Sequence, residues 1–284
     1  MDSSTLLGVT TFAYLFSTIL YTVIFIFKFP RLGKFATWFT ALALVVQTIG
    51  IGLRWYESYQ MGIGRAPLTN MYESVIFFAW TIIALYLFIE YKFKSRIIGA
   101  FTVPIAFLAM AYASLDGTIT KGITPLVPAL QSNWLIAHVV TCFIGYAAFS
   151  IAAGLGLMYL IKNRFGPSST DKQDGIIASL PPLKVIDSIT HNVMIFGFIW
   201  LTIGIITGAI WANSAWGTYW SWDPKETWSL ITWFVYAITL HARFTRGWSG
   251  TRIAWLSILG FISVIFTYYG VNFLLAGLHS YGSS

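Results

Sequence analysis

Apolar residues come in eight long runs along the chain, near 6–27, 35–53, 71–91, 97–114, 134–161, 193–212, 227–245 and 253–275. None alternates strictly between apolar and polar positions, and each is long enough to cross a hydrocarbon core about 30 Å thick. In lipid, backbone polar groups must be satisfied within a helix or around a closed barrel, and barrel strands are shorter and alternating. The runs therefore predict an all-α polytopic membrane protein of about eight transmembrane helices. Eight spans of roughly 20 residues use about 160 residues. Little of the 284 remains for anything else, so residues 1–284 are expected to form one integral membrane domain. Composition agrees: 57% of residues are hydrophobic and 10% charged, against about 25% charged in soluble domains. A soluble cytosolic enzyme, a disordered chain and a nucleic-acid binder are excluded.

Charge sets the expected orientation. Loops 28–34, 92–96, 162–192 and 243–252 hold 13 of the 17 Lys and Arg residues, which places them in the cytoplasm. Both termini then face outward, with loops 54–70, 115–133 and 213–226. The net charge of +7 is thus topological and implies no anionic partner. Loop 163–192, with its Gly-Pro-Ser-Ser-Thr and Pro-Pro stretches, reads as a connector. The first apolar run is too long for a signal peptide and lacks a basic leader. Cys142 is the sole cysteine, so the chain is neither a thiol oxidoreductase nor a c-type cytochrome. It reads as a small apolar filler.

Six of the 13 Trp lie between 211 and 233, around the outer-loop segment Trp216-Gly217-Thr218-Tyr219-Trp220-Ser221-Trp222-Asp223-Pro224-Lys225-Glu226-Thr227-Trp228. An interfacial aromatic belt explains one or two Trp per helix end. Four Trp in one short loop make a polarisable surface with indole N–H donors, suited to a large planar ligand. His138, about one turn into the fifth span, and His279, just past the eighth, lie on the same side as this loop. Histidines within a membrane segment are costly, and neutral imidazole is a common haem ligand. The pair would hold a haem from its two faces. His241 lies toward the inner end of the seventh span. His191 lies at a loop boundary, where a solvated side chain is expected.

The segment WGTYWSWDPKETW resembles the WWD signature of the haem-handling proteins of cytochrome c maturation. Its continuation through Thr232–Arg243 is similar to the CcsA/ResC family of the system II pathway. Supporting segments are Arg65–Ser74, Ser132–His138 and Gly270–Tyr281. The resemblance implies a haem-binding, haem-presenting subunit of a cytochrome c synthase, in a bacterial plasma membrane or a thylakoid membrane. It implies haem b as cargo, with iron held only through haem. His138 and His279 would be outer axial ligands, with Trp216, Gly217, Trp220, Trp222, Asp223, Pro224 and Trp228 as the haem-binding loop. His241 would belong to an inner haem site completed by a CcsB/ResB-type partner. Apocytochrome c and thiol-reducing proteins would be further partners.

Arg54, Arg65 and Lys225 are candidate contacts for the haem propionates, since outer basic residues are few. Asp223, followed by Pro224, is equally suited to an N-cap of the next helix and to a haem contact. Glu73 and Asn272 read as helix–helix hydrogen-bonding residues. Three alternatives stay open: a haem-delivery protein of the system I type, a transporter of another planar amphipathic solute, and a scaffold that holds haem for a synthase elsewhere.

Overall fold

The computed structural model describes residues 2–166 and 175–275. All eight apolar runs become helices, and no strand occurs among the described residues. They are α1 (Ser3–Phe27), α2 (Pro30–Gln60), α3 (Met71–Phe93), α4 (Gly99–Leu115), α5 (Asn133–Phe165), α6 (Leu183–Trp216), α7 (Pro224–Arg246) and α8 (Thr251–Ile265). One π-helical turn, Phe266–Gly270, carries α8 into the short α9 (Val271–Leu274). Seven of these helical runs are long and apolar enough to cross a membrane; α7 is the exception. Its buried positions are Thr232, Tyr236, Thr239, Leu240 and Ala242, a mixed face, while Ile238 and Phe244 are exposed.

Helix boundaries follow local chemistry. Asp2 accepts a bond from Thr5 N, Asn70 from Glu73 N and Ser132 from Trp134 N, each satisfying an orphan N–H at a helix start. α1 ends on Lys28 in a left-handed conformation, and Pro30 opens α2.

α5 is the central helix, packed on α3, α4, α6 and α8. Tyr236 of α7 stacks on Phe149 of α5 at 3.5 Å between ring centroids. Gly260 of α8 makes room, because a Cβ there would lie 2.5 Å from the Tyr236 ring.

α1 and α2 pack along a seam that hydropathy conceals. Their buried positions fall at heptad-like spacing: Ser3, Leu7, Thr10, Tyr14, Ser17 and Tyr21 on α1, and Gly33, Ala36, Thr40, Ala43, Gln47, Gly50 and Arg54 on α2. Between membrane helices, small and polar residues allow close approach and hydrogen bonding. Tyr14 donates to Gln47 at 2.5 Å, and Gln47 donates to Ile76 O at 3.0 Å. Large apolar side chains such as Phe12 and Trp38 point outward instead.

Two buried carboxylates hold the ends of this half. Glu73 takes Arg54 at 2.9 Å and Arg65 at 2.6 Å. Arg54 also donates to Lys121 O and Arg65 to Thr124 O, so the triad ties α2, α3, the loop between them and the loop between α4 and α5. At the opposite end Glu90 accepts from Tyr21 at 2.9 Å and from Tyr86 and Thr37, with Arg96 at 3.5 Å. Removing one partner of a buried ion pair costs about 3–5 kcal/mol, because the other charge is stranded. Glu73→Ala strands two guanidiniums, so the detergent-solubilised variant is expected to lose at least that much. A melting temperature within a degree or two of wild type would refute the role of the triad.

Candidate functional site

The site begins with a stripe of glycines on α6. Gly197, Gly204 and Gly208 face α5, and no side chain larger than hydrogen fits at any of them. A Cβ on Gly204 would lie 2.5 Å from Cys142 Sγ, and one on Gly208 would lie 2.6 Å from His138 Nδ1. The close approach brings His138 onto the α6 backbone. Its Nδ1 lies 2.7 Å from Gly204 O. A carbonyl oxygen can only accept, so Nδ1 carries the proton and Nε2 is the nitrogen with the lone pair in the neutral ring. Trp211 lies nearly parallel to the imidazole, at 18° and 6.0 Å between centroids. Cys142 Sγ sits 3.6 Å from Nδ1.

His138 and Cys142 line a cavity of about 420 Å³. Its walls come from α5, α6, the first turns of α7, the π turn and three loops: Tyr146, Trp211, Trp216, Tyr219, Trp220, Lys225, Glu226, Tyr268 and Leu68 are among them. The π turn is what presents Thr267 and Tyr268. Tyr268 is tied to Ser74 at 2.5 Å, and Thr267 donates to Trp228 O at 3.2 Å. Single π turns in helices recur at functional sites.

The tryptophan-rich connection is short and stiff. α6 runs to Trp216, where Gly217 adopts φ +78 and closes the helix on Asn213 O. α7 starts at Pro224 under a capping box: Asp223 accepts from Lys225 N at 3.1 Å, and Glu226 returns a bond to Asp223 N at 3.2 Å. Asp223 is therefore an N-cap. Glu226 also accepts from Ser221 N at 2.8 Å. Trp222 is held at φ +59, a left-handed conformation uncommon for a bulky residue.

The expected loop residues separate by role. Trp216 and Trp220 line the cavity. The indole N–H of Trp220 is buried and meets no acceptor among the described residues. Trp222 is exposed and lies edge-on to Trp220. Trp228 packs on Phe266 at 4.1 Å. Gly217, Asp223 and Pro224 shape the backbone. Lys225 reaches the cavity from the first turn of α7, where burial pushes its ammonium down to about 7 against the opposing pull of Asp223. Arg54 and Arg65 are buried in the Glu73 triad and do not line the cavity, although Leu68 and Thr69 beside Arg65 do.

His279 lies outside the described residues. His241 is exposed on α7, toward the end opposite the cavity. His191 packs edge-on against Phe244. Sequence reasoning missed Trp211, Tyr146 and Tyr268. The spacing of Gly197, Gly204 and Gly208 was the signal for the α6 face that carries Trp211.

These features define an integral membrane protein whose helices enclose an aromatic cavity with His138 in its wall. The family model described as "Cytochrome C assembly protein" matches residues 68–279. Relatives named cytochrome c biogenesis protein CcsA include those of Guillardia theta, 43% identical over 86% of this chain and 84% of theirs, and Porphyra purpurea, 40% identical over 89% and 90%. That of Prochlorococcus marinus (strain MIT 9313) is 41% identical over 87% and 83%. The solved structure of the cytochrome c heme lyase CcmF shares the fold at TM-score 0.67 and 16% identity, over 94% of this chain. This chain spans about half, 47%, of that protein. The chain belongs to the cytochrome C assembly protein family, among its CcsA members, and its role lies in cytochrome c biogenesis in a bacterial plasma or thylakoid membrane.

The Gly208 contact gives a direct test of the histidine's seat. Overpacking a tight interface costs about 1–3 kcal/mol. Gly208→Ala is expected to destabilise by that amount and to displace the imidazole, seen as a shifted His138 ring resonance. Gly52→Ala, where a Cβ meets nothing within 4 Å, is the matched control and leaves that resonance unmoved.

Proposed function

We propose that the cavity holds haem b as cargo and presents it for attachment to apocytochrome c. The observation that carries this reading is His138: its Nδ1 proton is committed to Gly204 O, in the wall of an aromatic cavity. A metal-binding imidazole characteristically has its other nitrogen held this way. The remaining surroundings fit the group. Trp211, Trp216 and Trp220 offer ring surface for a macrocycle. The Trp220 N–H, which meets no acceptor among the described residues, and the Lys225 ammonium suit anionic propionates. Arg65, whose Nη2 meets no acceptor among the described residues, is a further propionate candidate beside Thr69; Arg54 is committed to Glu73 and the Lys121 and Gly122 carbonyls and drops out of that role.

His279 supplies the second axial ligand in this reading. The cavity and both termini then face outward, in line with the 13 basic residues on the other side. His241, exposed on an otherwise apolar face of α7, is a costly group to leave in lipid. It serves an inner haem site that a CcsB/ResB-type partner completes. At the outer site each CxxCH thiol adds across one haem vinyl: a C–S bond and a C–H bond form, and no electrons are exchanged. The chain orients the reacting groups and excludes water. Thiol-reducing proteins keep the substrate cysteines competent.

The chain co-purified with its membrane partner should give a pyridine haemochrome signal for non-covalent haem. His138→Ala is expected to lose or shift the haem spectrum, and an unchanged spectrum would sink the outer-site reading. A haem-free preparation would favour a transporter of another solute.

Lys225 adds a pH test. A bound carboxylate raises a lysine pKa that burial has lowered to about 7. Binding then takes up a proton above pH 7, so affinity falls as pH rises from 7 toward 9. Lys225→Arg, which stays charged, should flatten that dependence. Equal slopes in haem titrations of both proteins would remove Lys225 from the propionate site.

A further inference from the structure

The Gly204 carbonyl that holds His138 is also within reach of the Thr207 hydroxyl, whose single proton is shared between two carbonyls. Thr207 Oγ1 lies 3.1 Å from Gly204 O and 2.8 Å from Ile203 O. Across the helix interface, Thr141 Oγ1 lies 3.4 Å from Thr207 Oγ1 and bonds Ala137 O at 2.7 Å and His138 O at 3.0 Å. The two threonines thus bridge α5 and α6 beside the imidazole. Thr207 does not line the cavity; Gly208 and Ala209 next to it do. Among the described residues its side chain connects to the cavity through the Gly204 carbonyl that His138 shares, and more distantly through Thr141.

We propose that Thr207 is a positioning residue that sets the donor strength of His138 toward haem iron. The inference rests on the reading of His138 as an axial ligand. One carbonyl oxygen divides its acceptor strength among its donors. Whatever share Thr207 takes is withdrawn from the His138 Nδ1–H bond. A weaker bond at Nδ1 leaves the imidazole less imidazolate-like, and so a poorer donor at Nε2. A poorer donor stabilises ferric iron less and raises the reduction potential.

Helical threonines commonly bond the carbonyl one turn back without further consequence. That ordinary role would affect stability alone. Here the Gly204 carbonyl also receives an imidazole from another helix at 2.7 Å, so an electronic consequence at His138 is expected as well.

The test is the midpoint potential of the outer-site haem, in the chain co-purified with its membrane partner. The outer-site signal is defined as the signal that His138→Ala removes. Thr207→Val keeps the shape and deletes the donor. It should move the potential to more negative values, by up to about a tenfold change in the ferric-to-ferrous ratio, about 59 mV for one electron. Thr207→Ser restores the hydroxyl and should return the potential to wild type. Thr207→Ala serves if the valine variant folds poorly, with the same sign expected. An unchanged or more positive potential in the Val and Ala variants overturns the proposal while leaving the outer site intact. A haem signal that His138→Ala does not alter overturns the axial-ligand reading and this proposal with it.

Discussion

The site depends on how closely α5 and α6 approach. Gly145 on α5 faces Gly197 and Leu201, and Gly197, Gly204 and Gly208 on α6 face Phe149, Cys142 and His138. With no side chains between them, the backbones come within reach of each other's polar groups. A membrane histidine thereby satisfies one nitrogen on a helix carbonyl instead of on another side chain. In lipid, where hydrophobic burial does not drive helices together, packing of small residues and such interhelical bonds carry the association. The same contact that stabilises the helix pair fixes the tautomer of the imidazole. Fold and chemistry are one interaction here.

The rest of the chain completes what that pair begins. α1–α4 form a bundle closed at one end by Arg54–Glu73–Arg65 and at the other by Glu90 with Tyr21, Tyr86, Thr37 and Arg96. The first triad fixes the loop that carries Leu68 and Thr69 to the cavity, and Ser74 on α3 ties Tyr268. A charge network behind the cavity wall therefore sets part of that wall.

Much of this was legible in the sequence, for definite reasons. Span positions are dictated by backbone polarity, and all eight runs became helices. Asp223-Pro224 suggested a capped helix start as readily as a haem contact; the structure makes it an N-cap, with Glu226 completing a capping box that sequence reasoning missed. The α1–α2 seam was hidden because most of its buried residues are Ser, Thr, Tyr, Gln, Gly or Ala, while many large apolar ones such as Phe12 and Trp38 face outward; hydropathy in a membrane reports the lipid side. The roles of Trp222 and Trp228 were hidden for another reason. Clustering in sequence does not say which rings turn inward, and a left-handed backbone at Trp222 turns that ring out. Arg54 and Arg65 stood out as outer cations. Their pairing with Glu73 depends on contacts 8 and 19 residues away that no local pattern encodes.

α7 links the two ends of the molecule. Its start is locked by the capping box on Asp223 and Glu226, and its far end by Arg243 bonded twice to Asp187, at 3.0 and 2.7 Å. Between them Tyr236 is clamped on Phe149. Lys225 and His241 thus sit on one rigid rod, separated by about 24 Å at 1.5 Å per residue. No single haem can bridge that distance between the cavity and His241. Two sites on this chain would have to be successive stations, with the cargo moving and the helix standing still. Ile231, Phe234, Ile238 and His241 share the exposed face of α7, and a histidine among such apolar neighbours is costly in lipid, so that face is where the proposed inner site would need cover.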